Sequence, residues 1–210
     1  MDVYQEKYAK YWDKLKEAEN LSEEQINQFK QYASLILEWN EKFNLTAITS
    51  LPEMITKHFA DALVLRKYMD LKEIKNLMDV GSGAGIPGLP LKILFPHLSV
   101  ILMEVNKKKL RFLKEALESL SLKNVELCDV DWRTFLRTTE GEIDLFVSRA
   151  TLDPLELCRM FKPSSAYKKT KLVYWASETW EPDPKISKFV LDTKEYKLGY
   201  RKRKLVFLGV

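Results

Sequence analysis

Five short apolar runs, Leu77 to Val80, Ser99 to Met103, Val125 to Cys128, Ile143 to Val147 and Leu172 to Trp175, alternate with stretches of helix length. Nothing else in the sequence constrains the fold as strongly, because parallel strands cannot be joined by tight turns and need crossovers of that length. The clearest crossover carries Leu110, Leu113, Leu117 and Leu120 on one side. Two more apolar runs, Phe189 to Leu191 and Leu205 to Leu208, are expected to form a final antiparallel pair. The expected fold class is α/β: a mostly parallel, seven-stranded, Rossmann-like sheet with helices on both faces.

Ahead of the sheet the period is helical. Tyr4, Tyr8, Tyr11, Trp12 and Leu15 recur at helical spacing, and Asn20 is suited to end that helix. Ser22 followed by Gln25 reads as a capping box for a second helix with Ile26, Phe29, Ala33, Ile36 and Leu37 on one face. Pro52 suits the first turn of a third helix carrying Ile55, Phe59, Ala62 and Leu63. Residues 1–70 are therefore expected to be an N-terminal helical extension, and 71–210 the sheet-bearing core.

Composition narrows the class of protein. With 210 residues, 46% of them hydrophobic and 30% charged, the chain reads as one globular domain with a small appendage. No apolar run approaches the ~20 residues that cross a bilayer, so no membrane partner is expected. The start, Met1 to Tyr8, lacks the basic and apolar segments of a signal peptide, which predicts a cytoplasmic protein. Cys128 and Cys158 are too few for a disulfide framework or a structural zinc site; no metal is expected, and both read as buried thiols. The net charge of +4 permits a nucleic-acid partner without demanding one. A monomer is expected.

The chemistry gathers at Asp79-Val-Gly-Ser-Gly-Ala-Gly85, where an apolar strand ends in a carboxylate and then in Gly81, Gly83 and Gly85. Glycines let a backbone bend sharply and approach a ligand closely. Gly83-Ala-Gly85-Ile-Pro-Gly88 also satisfies the dinucleotide fingerprint, with Glu104 about 20 residues further on, so a nicotinamide-dependent oxidoreductase stays open as an alternative. The Asp79 carboxylate favours S-adenosylmethionine, whose amino group is cationic, over a pyrophosphate that it would repel. Glu104 is expected to accept from ribose hydroxyls or else to pair with a surface lysine. Asp131, Trp132 and Arg133 follow the third strand, where adenine would rest; Trp132 either stacks on the ring or belongs to the core.

The target atom is narrowed by what is missing. The fourth strand runs into Ser148-Arg149-Ala150, without the Asn/Asp-Pro-Pro-aromatic tetrapeptide associated with amine methylation, and neither cysteine follows a proline. A target with an exposed lone pair, such as guanine N7, needs positioning more than a base. His58 is the one acid-base candidate near this half, and a packed helix histidine is its plainer reading.

Five stretches together resemble the bacterial small-subunit ribosomal RNA guanine-N7 methyltransferases, the GidB or RsmG family: Trp39-Asn-Glu-Lys-Phe-Asn-Leu-Thr-Ala-Ile-Thr49, His58-Phe-Ala-Asp61, Asp79 to Leu91, Lys108-Lys-Leu-Arg-Phe-Leu113 and Ser148-Arg-Ala150. The resemblance implies a class I S-adenosylmethionine-dependent methyltransferase fold, with small-subunit rRNA or a ribosomal particle as partner. It implies cofactor contacts at Gly81 and Ile86, at Trp132 and Arg133, and at Arg149. Asn40, Asn44 and His58 would sit at the mouth of the site, or would cap and pack the helix-to-sheet junction; Arg149, His58 and Asn44 are the catalytic candidates. Two positions depart from the pattern: Asp131 stands where the family usually carries arginine, and Ser177-Glu178 where it carries Lys-Gly. An inactive RNA-binding member of the same fold is the alternative those departures raise.

Overall fold

A computed structural model describes residues 3–149 and 152–210. Met1, Asp2 and Ala150 of the Ser148-Arg149-Ala150 segment lie outside the described residues. The N-terminal region contains α1 (Ala9–Glu19) and α2 (Glu23–Lys42). Asn20 ends α1 in the left-handed region at φ 51°, as a short polar side chain tolerates. Both arms of the capping box form: Gln25 N–H donates to Ser22 Oγ at 3.1 Å, and Ser22 N–H to Gln25 Oε1 at 2.9 Å. Gln25 Nε2 also reaches the Ile93 carbonyl at 2.9 Å, so the cap ties α2 to the end of a helix in the core.

The expected third helix is a composite. It runs through α3 (Leu51–Met54), a π-helix at Ile55–Ala60, α4 (Asp61–Leu63) and a 3-10 turn at Val64–Lys67. Wider π turns recur at functional sites because they change where carbonyls and side chains point. Here the π turn carries Lys57 and His58.

The sheet contains β1 (Asn76–Val80), β2 (Ser99–Met103), β3 (Val125–Cys128), β4 (Leu145–Arg149), β5 (Lys171–Ser177), β6 (Val190–Leu198) and β7 (Arg201–Leu208), in the order β3-β2-β1-β4-β5-β7-β6. β1 to β5 are parallel, and β7 pairs antiparallel with both β5 and β6. The order reverses beside β1, which puts a ligand crevice at the carboxyl ends of β1 and β4. Crossovers are α5 (Gly88–Leu94), α6 (Lys107–Ser119), α7 (Trp132–Thr138) and α8 (Pro154–Leu157).

Each face of the sheet carries its own core. One joins α1, α2 and the π-helix to α5 and α6, and includes Phe29, Tyr32 and Phe59 with ring centroids 5.0 and 5.5 Å apart. The other joins α7 and the segment after β4, around Trp132, Phe135, Phe146 and Tyr167. Three expectations need correction. β4 begins at Leu145 rather than Ile143, and the last two strands run far beyond their apolar runs, because β6 is an edge strand whose residues are mostly exposed. Cys158 is buried and Cys128 half-buried, so one of the two thiols differs from expectation.

Candidate functional site

β1 ends beneath the glycine turn, in which Gly81, Gly83 and Gly85 all have positive φ. Gly83 decides what the turn is for. At φ +60° a side chain would be strained, and a Cβ there would meet nothing within 4 Å, so bare backbone faces open space. Gly83 N–H donates to Glu104 Oε2 at 3.0 Å, and Asn106 N–H to Glu104 Oε1 at 2.9 Å. Glu104 is thus buried against the turn, with Lys109 Nζ 3.9 Å away, and its first task is to hold the turn's shape.

Asp79 sits differently from expectation. It is fully enclosed below the turn rather than open at the strand end. Oδ2 accepts from Gly88 N–H at 2.8 Å, a contact that requires glycine, since a Cβ on residue 88 would stand 2.9 Å from that oxygen. Oδ1 is buried with no donor among the described residues. Burial pushes the carboxyl pKa up to about 7, against the opposing pull of the Gly88 N–H and Arg149. A buried acceptor without a donor calls for one.

Above the turn opens a cavity of about 460 Å³. Of the residues that the sequence singles out, Gly81, Gly83, Ile86, His58 and Arg149 line it; Lys57, Arg201 and Arg203 add cations, and none of its lining residues is a carboxylate. Arg149 ends β4, where Nη1 donates to the Lys57 carbonyl at 2.9 Å and meets Asp61 Oδ2 at 3.1 Å. Arg149 Nη2 donates to His58 Nδ1 at 3.0 Å, so the His58 proton lies on Nε2 and is given to Thr46 Oγ1 at 2.8 Å. Burial, reinforced by the Arg149 charge, lowers the His58 pKa to about 3. The imidazole is neutral with both nitrogens engaged.

Asp61 is the centre that sequence reasoning did not single out. Fully buried, it accepts from Tyr196 Oη at 2.6 Å and meets both Arg149 and Arg203, the latter at 3.4 Å. Trp175 Nε1 donates to its carbonyl at 2.9 Å. Burial, then the Asp61 charge, raises the Tyr196 pKa, so the phenol stays a donor. Arg203, which lines the cavity, has a buried Nε with no partner among the described residues. The only sequence sign of Asp61 was its place in the His58-Phe-Ala-Asp61 stretch.

Other expected residues lie elsewhere. Asn44 is exposed and does not line the cavity. Asn40 caps the loop beyond α2: its Oδ1 accepts from Leu45 and Thr46 N–H at 2.8 and 2.9 Å, which fixes Thr46 for His58. Trp132 is core, packed on Phe135 and Phe146 with its Nε1 donating to the Glu156 carbonyl at 2.8 Å, so its ring is not offered to adenine. Asp131 is the N-cap of α7, accepting from Arg133 and Thr134 N–H at 3.0 Å each. Arg133 pairs with Glu156 at 2.8 Å and faces a different cleft. At the other departure from the family pattern, Ser177 lies opposite Arg203 in the β5–β7 register, so a cation stands beside that position.

The site suits the expected cofactor on three counts: the open backbone at Gly83, the unpartnered Asp79 Oδ1 below it, and cations for a carboxylate on the cavity wall. No helix among the described residues is long and apolar enough to cross a membrane, and none of their acidic, histidine and cysteine side chains group as a metal site.

Comparison with known proteins agrees with this geometry. Solved structures of similar fold include a SAM dependent methyltransferase from Aquifex aeolicus (TM-score 0.56, 17% identity, 83% of this chain and 98% of that one). Human methyltransferase 10 domain containing protein is similar to the same degree (TM-score 0.57, 15% identity, 86% and 98%). In sequence, the Ribosomal RNA small subunit methyltransferase G of Aster yellows witches'-broom phytoplasma is 34% identical over 188 residues, 90% of this chain and 88% of that protein. The protein of the same name from Bacillus subtilis is 42% identical over 133 residues, 62% and 56% of the two chains. The family model described as rRNA small subunit methyltransferase G matches residues 25–178. With that match spanning α2 to the end of β5, the chain belongs to the GidB family, the small-subunit rRNA methyltransferases G.

Proposed function

We propose that the protein transfers the methyl group of S-adenosylmethionine to N7 of a guanine in small-subunit ribosomal RNA. The cavity at the glycine turn carries this reading: it is walled by cations, no carboxylate lines it, and its one imidazole is locked neutral. Guanine N7 presents a lone pair and no proton, so attack needs alignment and no base. An exocyclic amine would have to give up a proton, and His58, engaged at both nitrogens, is not set to take it. Family membership supports the same substrate class.

S-adenosylmethionine supplies a methyl group on a sulfonium, and transfer moves the positive charge from sulfur to the guanine ring. The rest falls to the protein. The bare backbone at Gly83 admits close approach, and Glu104 fixes that backbone from behind. The Asp79 Oδ1 acceptor draws a cationic amino group toward the turn. Arg149 and Arg203 meet anionic groups, held in place by Asp61. In this reading the N-terminal helical region and the exposed Asn44 face RNA, and the protein acts as a cytoplasmic monomer without a metal.

Two measurements test it. Undermethylated small subunits incubated with the protein and labelled cofactor should yield labelled 7-methylguanosine after digestion; label in another nucleoside, or none, overturns the proposal. By calorimetry, Asp79→Asn should weaken cofactor binding roughly ten- to a hundredfold, the size of a lost charge-assisted hydrogen bond of about 1.5–3 kcal/mol.

A further inference from the structure

A second cleft, of about 430 Å³, lies between α7 and the segment that follows α8. Arg133, Arg137, Arg159 and Lys162 line it, against one carboxylate, Asp131. That carboxylate is committed to α7, accepting from the backbone of Arg133 and Thr134 and from Thr134 Oγ1 at 2.7 Å. The cleft is therefore cationic in effect. It is also pre-arranged, because Arg133 Nε and Arg159 Nε both donate to Glu156 Oε2, at 2.8 and 2.7 Å. Anchoring through Nε leaves the terminal Nη donors of both guanidiniums for a ligand.

The donors in this cleft suit one chemistry. Planar guanidinium forks match the spacing of phosphate oxygens, and a fork already held by a carboxylate loses less freedom on binding. Lys162 adds a point charge. Leu136 is the one apolar residue among those that line it, so a hydrophobic peptide would find no apolar cluster to dock on. Position adds the second argument. α7 starts just beyond the carboxyl end of β3 and α8 just beyond that of β4, so the Arg133–Glu156 end of the cleft sits on the rim of the sheet that also carries the catalytic cavity. The cavity opens toward the face covered by α2, the cleft toward the face covered by α7.

We infer that this cleft is a second holding site for the RNA, taking a backbone phosphodiester of the substrate strand outside the catalytic cavity. The inference rests on the proposed rRNA substrate and adds where that strand is gripped. A polymer held at both places is fixed in orientation over the rim, which a single contact cannot achieve. The target nucleotide then enters the cavity in one register.

The doubly substituted chain Arg137→Gln, Lys162→Gln tests it, since both side chains are exposed and neither belongs to the catalytic cavity. Binding of a small-subunit rRNA fragment is followed over a salt series, with cofactor affinity read from tryptophan fluorescence. The double variant should bind RNA at least tenfold more weakly at low salt, and its plot of log affinity against log salt should be shallower by about 1.5, the release expected for two phosphate contacts. Cofactor affinity should not change. Parallel plots of equal intercept would remove the cleft from RNA binding. Unchanged RNA binding with slower methylation of whole particles would also overturn it, in favour of an acidic protein partner. The functional reading fails separately, if the parent chain binds rRNA yet leaves no 7-methylguanosine in it; if the parent chain binds no RNA, both fall.

Discussion

Two pairs of arginines each share a single carboxylate oxygen, and their surroundings are opposite. Arg149 and Arg203 meet Asp61 Oδ2 at 3.1 and 3.4 Å, with Asp61 wholly enclosed. Arg133 and Arg159 meet Glu156 Oε2 at 2.8 and 2.7 Å near the surface. The shorter contacts are the ones on which the fold depends less. Water solvates the surface charges whether or not they touch, so their pairing adds little to stability. In the interior no water replaces a missing partner, and a charge left alone there is expensive. Burial, more than distance, sets what each carboxylate is worth, and the same arrangement serves as a structural hub in one place and as a ligand clamp in the other.

Removing the two carboxylates in turn is the sharpest way to break that comparison. Asp61→Asn keeps the shape and can still accept from Tyr196 Oη, yet strands Arg149 and Arg203 without an anion. Loss of one partner of a buried ion pair costs about 3–5 kcal/mol, and urea unfolding should show a loss of that size. Methyl transfer should fall as well, because Arg149 loses its anchor beside His58 and Lys57. A loss below about 1 kcal/mol would mean that the two cations find other partners and that enclosure is not what distinguishes the pairs.

The two regions also respond to acid in different windows. Glu156, held down to about 2 by hydrogen bonds from Arg133 and Arg159, makes its small, water-screened contribution in full above its usual range near 4.5 and loses it as pH falls toward 2. On the buried side two groups act in opposition. His58 binds a proton in the unfolded chain near 6.5 but in the folded one only near 3, so its contribution to stability rises with pH between those values. Asp79 does the reverse: folded, it keeps its proton to about 7, against 3.8 unfolded, so stability falls as pH rises through that interval. Between about 4 and 6.5 the two slopes, each at most about 1.4 kcal/mol per pH unit, oppose each other. His58→Asn should therefore tilt stability downward with rising pH relative to the parent chain, and Asp79→Asn should tilt it upward. Unfolding curves at pH 4.5, 5.5 and 6.5 check the signs; equal tilts in both variants would contradict the assignment.

The same contrast explains what could be read from the sequence. The glycine turn, the Ser22–Gln25 box and the leucine face of α6 are local, each set by residues within a few positions of one another. The parallel pairing of β1 to β5 follows from a pattern of alternating runs, whereas their order in the sheet does not. Asp61 is not local in that sense: its partners Arg149 and Tyr196 lie 88 and 135 residues away, and no spacing rule links them. Trp132 could not be assigned to core or ligand because its position after β3 is compatible with both, and only packing on Phe146 decides. The apolar runs Phe189 to Leu191 and Leu205 to Leu208 understate β6 and β7 because an edge strand shows charge where a central one shows valine and leucine. The Arg133–Glu156–Arg159 cluster is hidden in the sequence for a related reason, since separate charged residues on α7, α8 and the 3-10 turn after it look like solvated surface until the fold brings them together.

The smallest expected effect comes from Glu156→Gln. Both arginines remain solvated when the carboxylate is neutralised, so the melting temperature should stay within experimental error of the parent chain near neutral pH. What changes is the charge and rigidity of the cleft. Without the Glu156 charge that pairs its arginines the cleft attracts phosphate more strongly, but its two forks are no longer held side by side. The first effect is electrostatic and screened by salt; the second is entropic and is not. RNA affinity of the variant should therefore gain on the parent chain at low ionic strength and drop below it near 0.3 M salt. A crossing of the two salt plots is the expected result, observed with no accompanying change in thermal unfolding. If the plots do not cross and unfolding shifts by several degrees, Glu156 belongs with Asp61 as a structural anion, and the contrast between the two arginine pairs is lost.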